Sequence, residues 1–287
     1  MLKQVDRVQI AVVDSPKAQQ TLKQIFAAEV IGRDEVRHLA AKRTTMQAGS
    51  SLFELLEESA AGPVADHLRK WGPGLFGAGF SVEDLDRAAA HLVQCGVAAA
   101  SENGQILIDR SSTFGMPVVL SALQDRSPVG AAITHVYEVT NCVRDARAAG
   151  DRYAKIFALN QSKYVPIESV EFGYAGALTM FDSPERLDRI EISGITDPSK
   201  AMGRYHSRRG DSLYMFFVET DNADALAERL RSIEAHFAPW TKDARGLAEL
   251  FIHPSAMCGV LVGVSRTEHA WKWSGDPQRS ARAALLR

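Results

Sequence analysis

The sequence has few cysteines, little net charge and no long apolar run. Its three cysteines, Cys95, Cys142 and Cys258, are too few and too far apart for a disulfide framework or a zinc knuckle. No stretch of about 18 apolar residues is present, so neither a membrane-spanning helix nor a secretory signal is expected. A net charge of −2 gives no field that would attract nucleic acid or an anionic membrane. These absences predict a cytoplasmic protein with reduced thiols.

A glycine-rich phosphate loop is also missing, because the run Gly72–Gly77 precedes a strand and does not lead from a strand into a helix. Charge does cluster locally, most clearly in the basic segment Arg204–Arg209. That segment has two interpretations, a solvated turn or a site for a carboxylate or phenolate. The 46% of hydrophobic and 24% of charged residues are typical of a globular protein, and 287 residues suffice for two domains.

One pattern occurs four times in the chain: an apolar strand, a polar cap, an amphipathic helix and then short strands. The four strand-to-helix segments are VQIAVVDSPKAQQTLKQIF, FGAGFSVEDLDRAAAHLVQCGV, HVYEVTNCVRDARAAGDRYAKIF and SLYMFFVETDNADALAERLRSI. In each unit a helical period of 3.6 residues gives way to the strand period of 2. The better-defined following strands are expected at residues 41–47 and 51–57, 105–109 and 116–123, 172–181 and 189–193, and 247–252 and 260–264.

The segment 124–130, QDRSPVG, carries turn residues and no periodicity. It predicts a boundary between an N-terminal domain of residues 1–126 and a C-terminal domain of residues 131–268. The tail, residues 269–287, contains Trp271 and Trp273 and no ligand spacing. It is expected either to dock back on the barrel or to cover the contact of a homodimer.

The four units resemble the vicinal oxygen chelate superfamily, which includes glyoxalases, bleomycin-resistance proteins, epimerases and extradiol dioxygenases. The resemblance covers about residues 4–266 and also rests on the ending HPSAMCGVLVG. It implies an α+β fold of four βαβββ modules that pair into two cupped, partly open β-barrels. In that superfamily, side chains on the first and last strands of a unit hold a divalent metal such as Fe, Mn, Zn or Ni. Such a metal can bind adjacent oxygens of a substrate.

The resemblance places the candidate metal ligands mainly in the third unit, with His135 on its first strand and Glu191 on its last. The fourth unit has no matching ligands. One of residues 213–215 stands where the ring-cleaving dioxygenases carry histidine, and Gly263 stands where they carry glutamate. The standard triad of two histidines and one glutamate is therefore not expected to be intact.

Other residues are candidates to rebuild the site. His253, before the last strand, or His206, in the basic segment, would complete a metal site with His135 and Glu191. Without a metal, Glu191 is expected to orient His135 as a general base. The candidate hydrogen-bond donors to a developing oxyanion are the strand tyrosines Tyr137, Tyr174 and Tyr214.

The N-terminal domain has few side chains that could bind a metal at the expected positions. Its first unit has Arg7 and Glu54 at the two ligand positions, which predicts either a structural ion pair or a clamp that holds a substrate carboxylate with Arg7. The second unit has Gly77 on its first strand and Val119 or Ser121 on its last. This domain is therefore expected to be structural or to form a wall of the pocket.

Two classes of function follow, and both have a small molecule as the partner. The first is an enzyme that acts on an oxygenated aromatic substrate in the C-terminal barrel, as a ring-cleaving dioxygenase, lyase or isomerase. His135, Glu191 and Tyr214 would be its catalytic residues. The second is a metal-free protein that sequesters an aromatic ligand, with the cavity enlarged by Gly77 and Gly263.

Overall fold

The computed structural model describes residues 1–181 and 186–274, and these form two eight-stranded sheets. The N-terminal sheet contains β1 (Leu2–Val12), β2 (Glu29–Val36), β3 (Ala41–Ala48), β4 (Ser51–Glu58), β5 (Gly74–Val82), β6 (Ala99–Glu102), β7 (Gln105–Ile108) and β8 (Val118–Ala122). The C-terminal sheet contains β9 (His135–Val143), β10 (Tyr164–Ser169), β11 (Tyr174–Met180), β12 (Arg189–Ile195), β13 (Ser212–Thr220), β14 (Phe237–Asp243), β15 (Gly246–Ile252) and β16 (Leu261–Arg266).

The helices of the described residues lie between these strands. They are α1 (Ser15–Phe26), α2 (Pro63–Trp71), α3 (Leu85–Gln94), α4 (Ala146–Phe157), α5 (Ala201–Arg209), α6 (Ala223–Ser232) and α7 (Thr267–Ala270). None of them is long and apolar enough to cross a bilayer. Each repeated unit therefore has the predicted order strand, helix and three strands, built around α1, α3, α4 and α6.

The four repeated helices begin where the polar caps predict. The side chains of Asp14, Asp84, Asp145 and Asn222 each accept a hydrogen bond from the backbone N–H three residues later. Such a bond satisfies one of the four N–H groups that have no partner inside the first turn of a helix. The cap fixes the point at which the chain leaves the first strand of each unit.

Both sheets have the same internal symmetry. Their orders are β2-β3-β4-β1-β5-β8-β7-β6 and β10-β11-β12-β9-β13-β16-β15-β14. The first and last strands of each unit pair in parallel, and the two units of a sheet join through antiparallel first strands. The α+β fold of two cupped sheets is confirmed, and residues 123–134 connect the sheets.

Apolar side chains form three clusters. The large cluster lies on the helix-covered faces and joins the two sheets, for example through Phe53 and Phe216, whose ring centroids lie 6.0 Å apart. A second cluster lies in the N-terminal cup and includes Phe76 and Val119. The third lies in the C-terminal cup, around Tyr137 and Trp271. The cups therefore lie on the faces of the sheets opposite the shared core.

Three helices of the described residues, α2, α5 and the four-residue α7, were not predicted. The basic segment is not a turn: Arg204–Arg209 is the C-terminal part of α5, and Gly210 follows it with a φ of 68°. Glycine adopts a positive φ without the strain that a Cβ atom would cause. Arg204 and Arg208 lie four residues apart and therefore share one face of the helix.

Candidate functional site

The strand register identifies equivalent positions in the four units. In the first unit, Gln9 of β1 lies beside Glu54 of β4, and Arg7 is two residues before Gln9. In the third unit, Thr140 of β9 lies beside Glu191 of β12. The residue two positions before Thr140 is Glu138. Glu138, and not His135, therefore occupies the position of Arg7.

The same register defines the fourth unit. Phe217 of β13 lies beside Gly263 of β16, so Met215 occupies the first-strand position. A Cβ atom added to Gly263 would lie 2.1 Å from carbons of the Phe217 ring. That ring fills the space next to Gly263, so the expectation that Gly263 enlarges the cavity is wrong. Gly77 does not enlarge the cavity either, because a Cβ atom added to it would lie 2.6 Å from Gln9 Oε1.

His135 lies at the start of β9, away from Glu191. Its backbone neighbour on β13 is Glu219, whereas the neighbour of Glu191 is Thr140. The two positions are five residues apart along β9, which corresponds to about 15 Å. His135 Nδ1 lies 3.1 Å from the hydroxyl of Thr134. The structure does not bring His135 and Glu191 together as a base and its orienting carboxylate.

Glu191 instead forms a carboxyl pair with Glu138. Glu138 is only 1% exposed and forms an ion pair with Arg189. Glu191 is 8% exposed, and the hydroxyl of Ser193 donates to its Oε1 at 2.5 Å. Thr140 lies between the two carboxyls, within 3.5 Å of Glu138 Oε1 and 3.4 Å of Glu191 Oε2.

Burial is the main cause that raises the pKa of Glu191 to about 8, and the charge of Glu138 adds to it. Tyr174 lies on the neighbouring strand β11. Burial and then the charge of Glu191 raise the pKa of its phenol well above the usual range. A carboxyl group that titrates near neutral pH can both accept and donate a proton under ordinary conditions. Glu191 therefore has the properties of a general acid or base.

An aromatic row shares the face of the sheet that carries this carboxyl pair. Phe217 is the backbone neighbour of Glu138, so their side chains lie on one face. Successive ring centroids are 5.8 Å apart from Tyr137 to Phe217, 5.9 Å from Phe217 to Phe251, 5.7 Å from Phe251 to Trp240 and 5.6 Å from Trp240 to Phe172. The row runs from the fully buried Tyr137 to Trp240, which is 48% exposed.

The start of the tail closes the buried end of this cup. Trp271 and Ala270 pack with Tyr137 and Leu187. Arg189 Nη1 donates to the carbonyl oxygen of Ala270 at 3.2 Å. Residues 267–274 thus dock on the C-terminal barrel, one of the two alternatives expected for the tail, while residues 275–287 lie outside the described residues.

The other predicted site residues lie near α5. A cavity of about 340 Å³ there is lined by Tyr214 and His253 together with Arg204 and Arg208. Burial raises the pKa of Tyr214 to about 12, so its phenol is a hydrogen-bond donor at neutral pH. His206 is held by Asp211 instead, with Nε2 and Oδ1 2.8 Å apart. Tyr214 and His253 are thus brought together, but apart from His135.

The first-unit pair in the N-terminal cup is a structural ion pair. Arg7 Nη1 lies 2.6 Å from Glu54 Oε1, and Arg43 Nη1 lies 3.1 Å from the same oxygen. Gln9 and Gln105 also donate to the Glu54 carboxylate. These partners hold the pKa of Glu54 below its usual value despite complete burial. Arg7 is occupied by protein carboxylates, including Asp6, and is not a substrate clamp.

Solved structures share this architecture. A variant of 4-hydroxymandelate synthase from Streptomyces coelicolor has a TM-score of 0.69 at 12% identity, over 92% of each chain. A fusion of a xylose isomerase-like TIM barrel with a 4-hydroxyphenylpyruvate dioxygenase has a TM-score of 0.62 at 11% identity, over all of this chain and 52% of that protein. The chain has the vicinal oxygen chelate fold. No family model and no curated protein matches the sequence.

In this vicinal oxygen chelate fold, four strand positions of the C-terminal sheet correspond to metal ligands. Two of them carry carboxyl groups, Glu191 and Glu138, and Glu138 is paired with Arg189. The other two are Met215 and Gly263, which offer no ligand for such a metal. Residues 1–181 and 186–274 contain no group of three or more His, Cys, Asp or Glu side chains placed to hold a metal. The proposed set of His135, Glu191 and His253 is therefore not assembled, and the residues do not fit the cofactor that the resemblance implies.

A signal for the correct position is present in the sequence. Arg7 is seven residues before the helix cap Asp14, and Gly77 is seven before Asp84. The same spacing before Asp145 gives Glu138, and before Asn222 it gives Met215. The distance to the cap therefore identifies the first-strand position of each vicinal oxygen chelate unit. His135 was predicted from its residue type and lies three residues before that position.

Proposed function

We propose that the C-terminal cup binds a small oxygenated aromatic molecule and transfers a proton with Glu191, without a metal. The observation that carries this proposal is the buried carboxyl pair of Glu138 and Glu191, on the same face as an aromatic row. Glu138 forms an ion pair with Arg189, which holds its carboxyl group next to Glu191. Of the two carboxyls, Glu191 keeps the larger exposed fraction, 8% against 1% for Glu138, and we assign the proton transfer to it.

The reaction is a proton transfer at a carbon next to a carbonyl group. The Glu191 carboxylate removes the carbon-bound proton, and the resulting carboxylic acid returns a proton to the enolate. Tyr174, whose phenol keeps its proton, and Ser193 supply hydrogen bonds beside Glu191. The rings of Phe217 and Phe251 provide the surface on which an aromatic substrate packs. The class is isomerase or lyase chemistry, and ring cleavage by an activated metal is not supported.

Hydrogen exchange tests this function directly. The probe is 2-hydroxyacetophenone, whose carbinol hydrogens exchange through an enediol. It is dissolved in deuterated water, and NMR measures the loss of the carbinol proton signal. We expect exchange to accelerate in the presence of the protein, with an inflection near pH 8. Glu191→Gln should reduce the rate by at least about a hundredfold, because general acid–base catalysis contributes that much or more.

Two comparisons make the experiment decisive. Glu249→Gln removes a carboxylate from the same sheet, one that is bonded to Thr241 and not to the Glu138 pair, and should leave the rate unchanged. Treatment with a chelator should also have no effect. Loss of exchange after chelation, or an unchanged rate in Glu191→Gln, would contradict the proposal.

The aromatic row also favours a second function, metal-free binding without turnover. Trp240 is 48% exposed at the outer end of the row and offers a stacking surface that needs no catalytic group. In that case 2-hydroxyacetophenone binds and Trp240→Ala weakens its affinity, while no hydrogen exchange occurs. Binding without exchange therefore selects sequestration over catalysis.

A further inference from the structure

A separate cavity lies between the concave side of the N-terminal sheet, α2, the end of α5 and the start of β13. Its volume is about 500 Å³, within the range of small-molecule sites. The inner wall is apolar and is lined by Leu39, Phe76, Leu107 and Val119, all members of the N-terminal cup cluster. A ring-shaped apolar group is the natural occupant of this part of the cavity.

His67 of α2 lines the same cavity with an unused polar atom. Its side chain is 6% exposed, and its Nε2 has no hydrogen-bond partner among the residues that the structure describes. The ring packs edge-on against Trp71 at 5.1 Å and Phe76 at 5.5 Å. Burial, followed by the charges of Arg209 and Arg110, lowers the pKa of His67 to about 4, so the imidazole is neutral at pH 7. Leaving a buried nitrogen unbonded is costly, and a ligand hydroxyl would bond it.

Cations surround Trp71 at the mouth of the cavity. The guanidinium carbon of Arg110 lies 4.7 Å from a Trp71 ring centroid, that of Arg209 lies 5.4 Å away, and Lys70 Nζ lies 4.7 Å away. In the described part of the chain, no carboxylate forms an ion pair with these three cations. Burial and the neighbouring Arg209 lower the pKa of Arg110, as expected for cations held close together without an anion.

Two acids, Asp66 and Asp109, also line the cavity, but each already has a partner. Asp66 lies 3.2 Å from Arg69, and Asp109 lies 3.4 Å from His38. Neither neutralises the arginines over Trp71. The cavity thus combines an apolar interior, a neutral histidine and an uncompensated pair of guanidinium groups.

We propose that this cavity binds a small aromatic carboxylate that carries a ring hydroxyl. The ring lies against Phe76 and Trp71, the carboxylate lies between Arg110 and Arg209, and the hydroxyl bonds His67 Nε2. Guanidinium groups bind carboxylates through charge-assisted hydrogen bonds, and they favour planar ligands that stack with an aromatic ring. This site is distinct from the carboxyl pair of the C-terminal cup and does not depend on it. The N-terminal domain, expected to be structural or a pocket wall, would then form this second binding site together with Arg209 of α5.

Calorimetric titration of the full chain tests this proposal with benzoate, the three hydroxybenzoate isomers and benzamide. We expect at least one hydroxybenzoate to bind more tightly than benzoate, and benzamide to bind at least about tenfold more weakly than benzoate because it lacks the charge. Arg110→Gln and Arg209→Gln should each weaken benzoate at least about tenfold. His67→Phe, which keeps the ring packing, should abolish the preference for the hydroxylated probe.

Matched variants separate this site from other effects. Arg69→Gln removes a cation of α2 that is exposed and paired with Asp66, and it should leave all affinities unchanged. The losses caused by Arg110→Gln and Arg209→Gln should also appear when they are combined with Glu191→Gln, which separates this site from the proposed proton transfer. The proposal is overturned if no probe binds at millimolar concentration or if benzamide binds as well as benzoate. It is equally overturned if Arg69→Gln weakens binding as much as Arg110→Gln does.

Discussion

At the residue scale, the carboxyl of Glu191 links the chemistry of the cup to the stability of the fold. Its pKa rises from the ordinary 4.5 to about 8 in the folded protein, because it is buried and lies beside Glu138. The folded state therefore holds a proton that the unfolded state releases. This contribution to stability is complete below about pH 4.5 and is lost as the pH rises towards 8.

We predict that the free energy of unfolding falls over this pH range with a slope that approaches about 1.4 kcal/mol per pH unit from Glu191 alone. Glu191→Gln should remove that part of the slope, as measured by urea denaturation at a series of pH values. Burial also raises the pKa of Asp188 to about 8, so the informative quantity is the difference between variant and parent. Identical slopes for the two proteins would show that Glu191 is ionised in the fold.

Gly263 and Phe217 support a second prediction at this scale. Because a Cβ at position 263 would overlap the Phe217 ring, Gly263→Ala should destabilise the protein by about 1–3 kcal/mol. The double variant with Phe217→Leu should recover part of this loss, because leucine leaves room for the methyl group. Thermal denaturation of the two single variants and the double variant measures the coupling. Strictly additive effects would mean that the two side chains do not compete for one space.

Residue positions could be predicted only where the sequence fixes a spacing. The ion pair of Arg7 and Glu54 was one of two interpretations of the ligand positions of the first unit, and the structure contains it. The partner of Glu191 was not predicted, because it depends on how β9 and β12 align. His135 and Glu138 differ by three residues on one strand, and the register places Glu138 two positions before the neighbour of Glu191, as the spacing to the helix cap indicates.

At the element scale, hydrophobic period and caps predicted the repeated units well. The last strand of the first unit, expected at 51–57, is Ser51–Glu58, and the last strand of the third, expected at 189–193, is Arg189–Ile195. These strands are buried on both faces and flanked by turn residues, so sequence and packing agree. The regular alternation of the two periods made the fold predictable before any contact was known.

The helices α2 and α5 were missed for a physical reason. Each has only nine residues and stands outside the repeated unit. Their stability comes from packing against neighbouring elements and not from a long amphipathic stripe. Both helices line the cavities, so the elements hardest to predict are those that shape the binding surfaces.

At the scale of the whole molecule, glycines allow close approach between the two sheets. Gly49 and Gly115 both have positive φ, 53° and 80°. A Cβ at Gly49 would lie 2.1 Å from the carbonyl oxygen of Thr134, and one at Gly115 would lie 1.7 Å from that of Asp211. Around Gly115 the turn is further anchored to the other domain, since Tyr153 donates to the carbonyl of Thr113 at 2.8 Å.

These contacts predict that Gly115→Ala disrupts the docking of the two sheets. The variant combines a left-handed backbone, which costs about 1–2 kcal/mol for alanine, with a direct clash against backbone. We expect a loss of at least about 3 kcal/mol in the free energy of unfolding, measured by urea denaturation with tryptophan fluorescence. Trp71 belongs to the N-terminal domain and Trp240 to the C-terminal one, so single-tryptophan versions show whether the domains still unfold together.

Gly104→Ala is the matched control for this prediction. Gly104 has a φ of 71°, close to that of Gly115, but no atom lies within 4 Å of an added Cβ. Backbone strain is therefore similar in the two variants, and only the contact with Asp211 differs. Gly104→Ala should cost about 1 kcal/mol and leave the two tryptophan signals coincident. Equal losses in the free energy of unfolding from both substitutions would assign the effect to backbone strain alone. The contact between Gly115 and Asp211 would then not explain how the two sheets hold together.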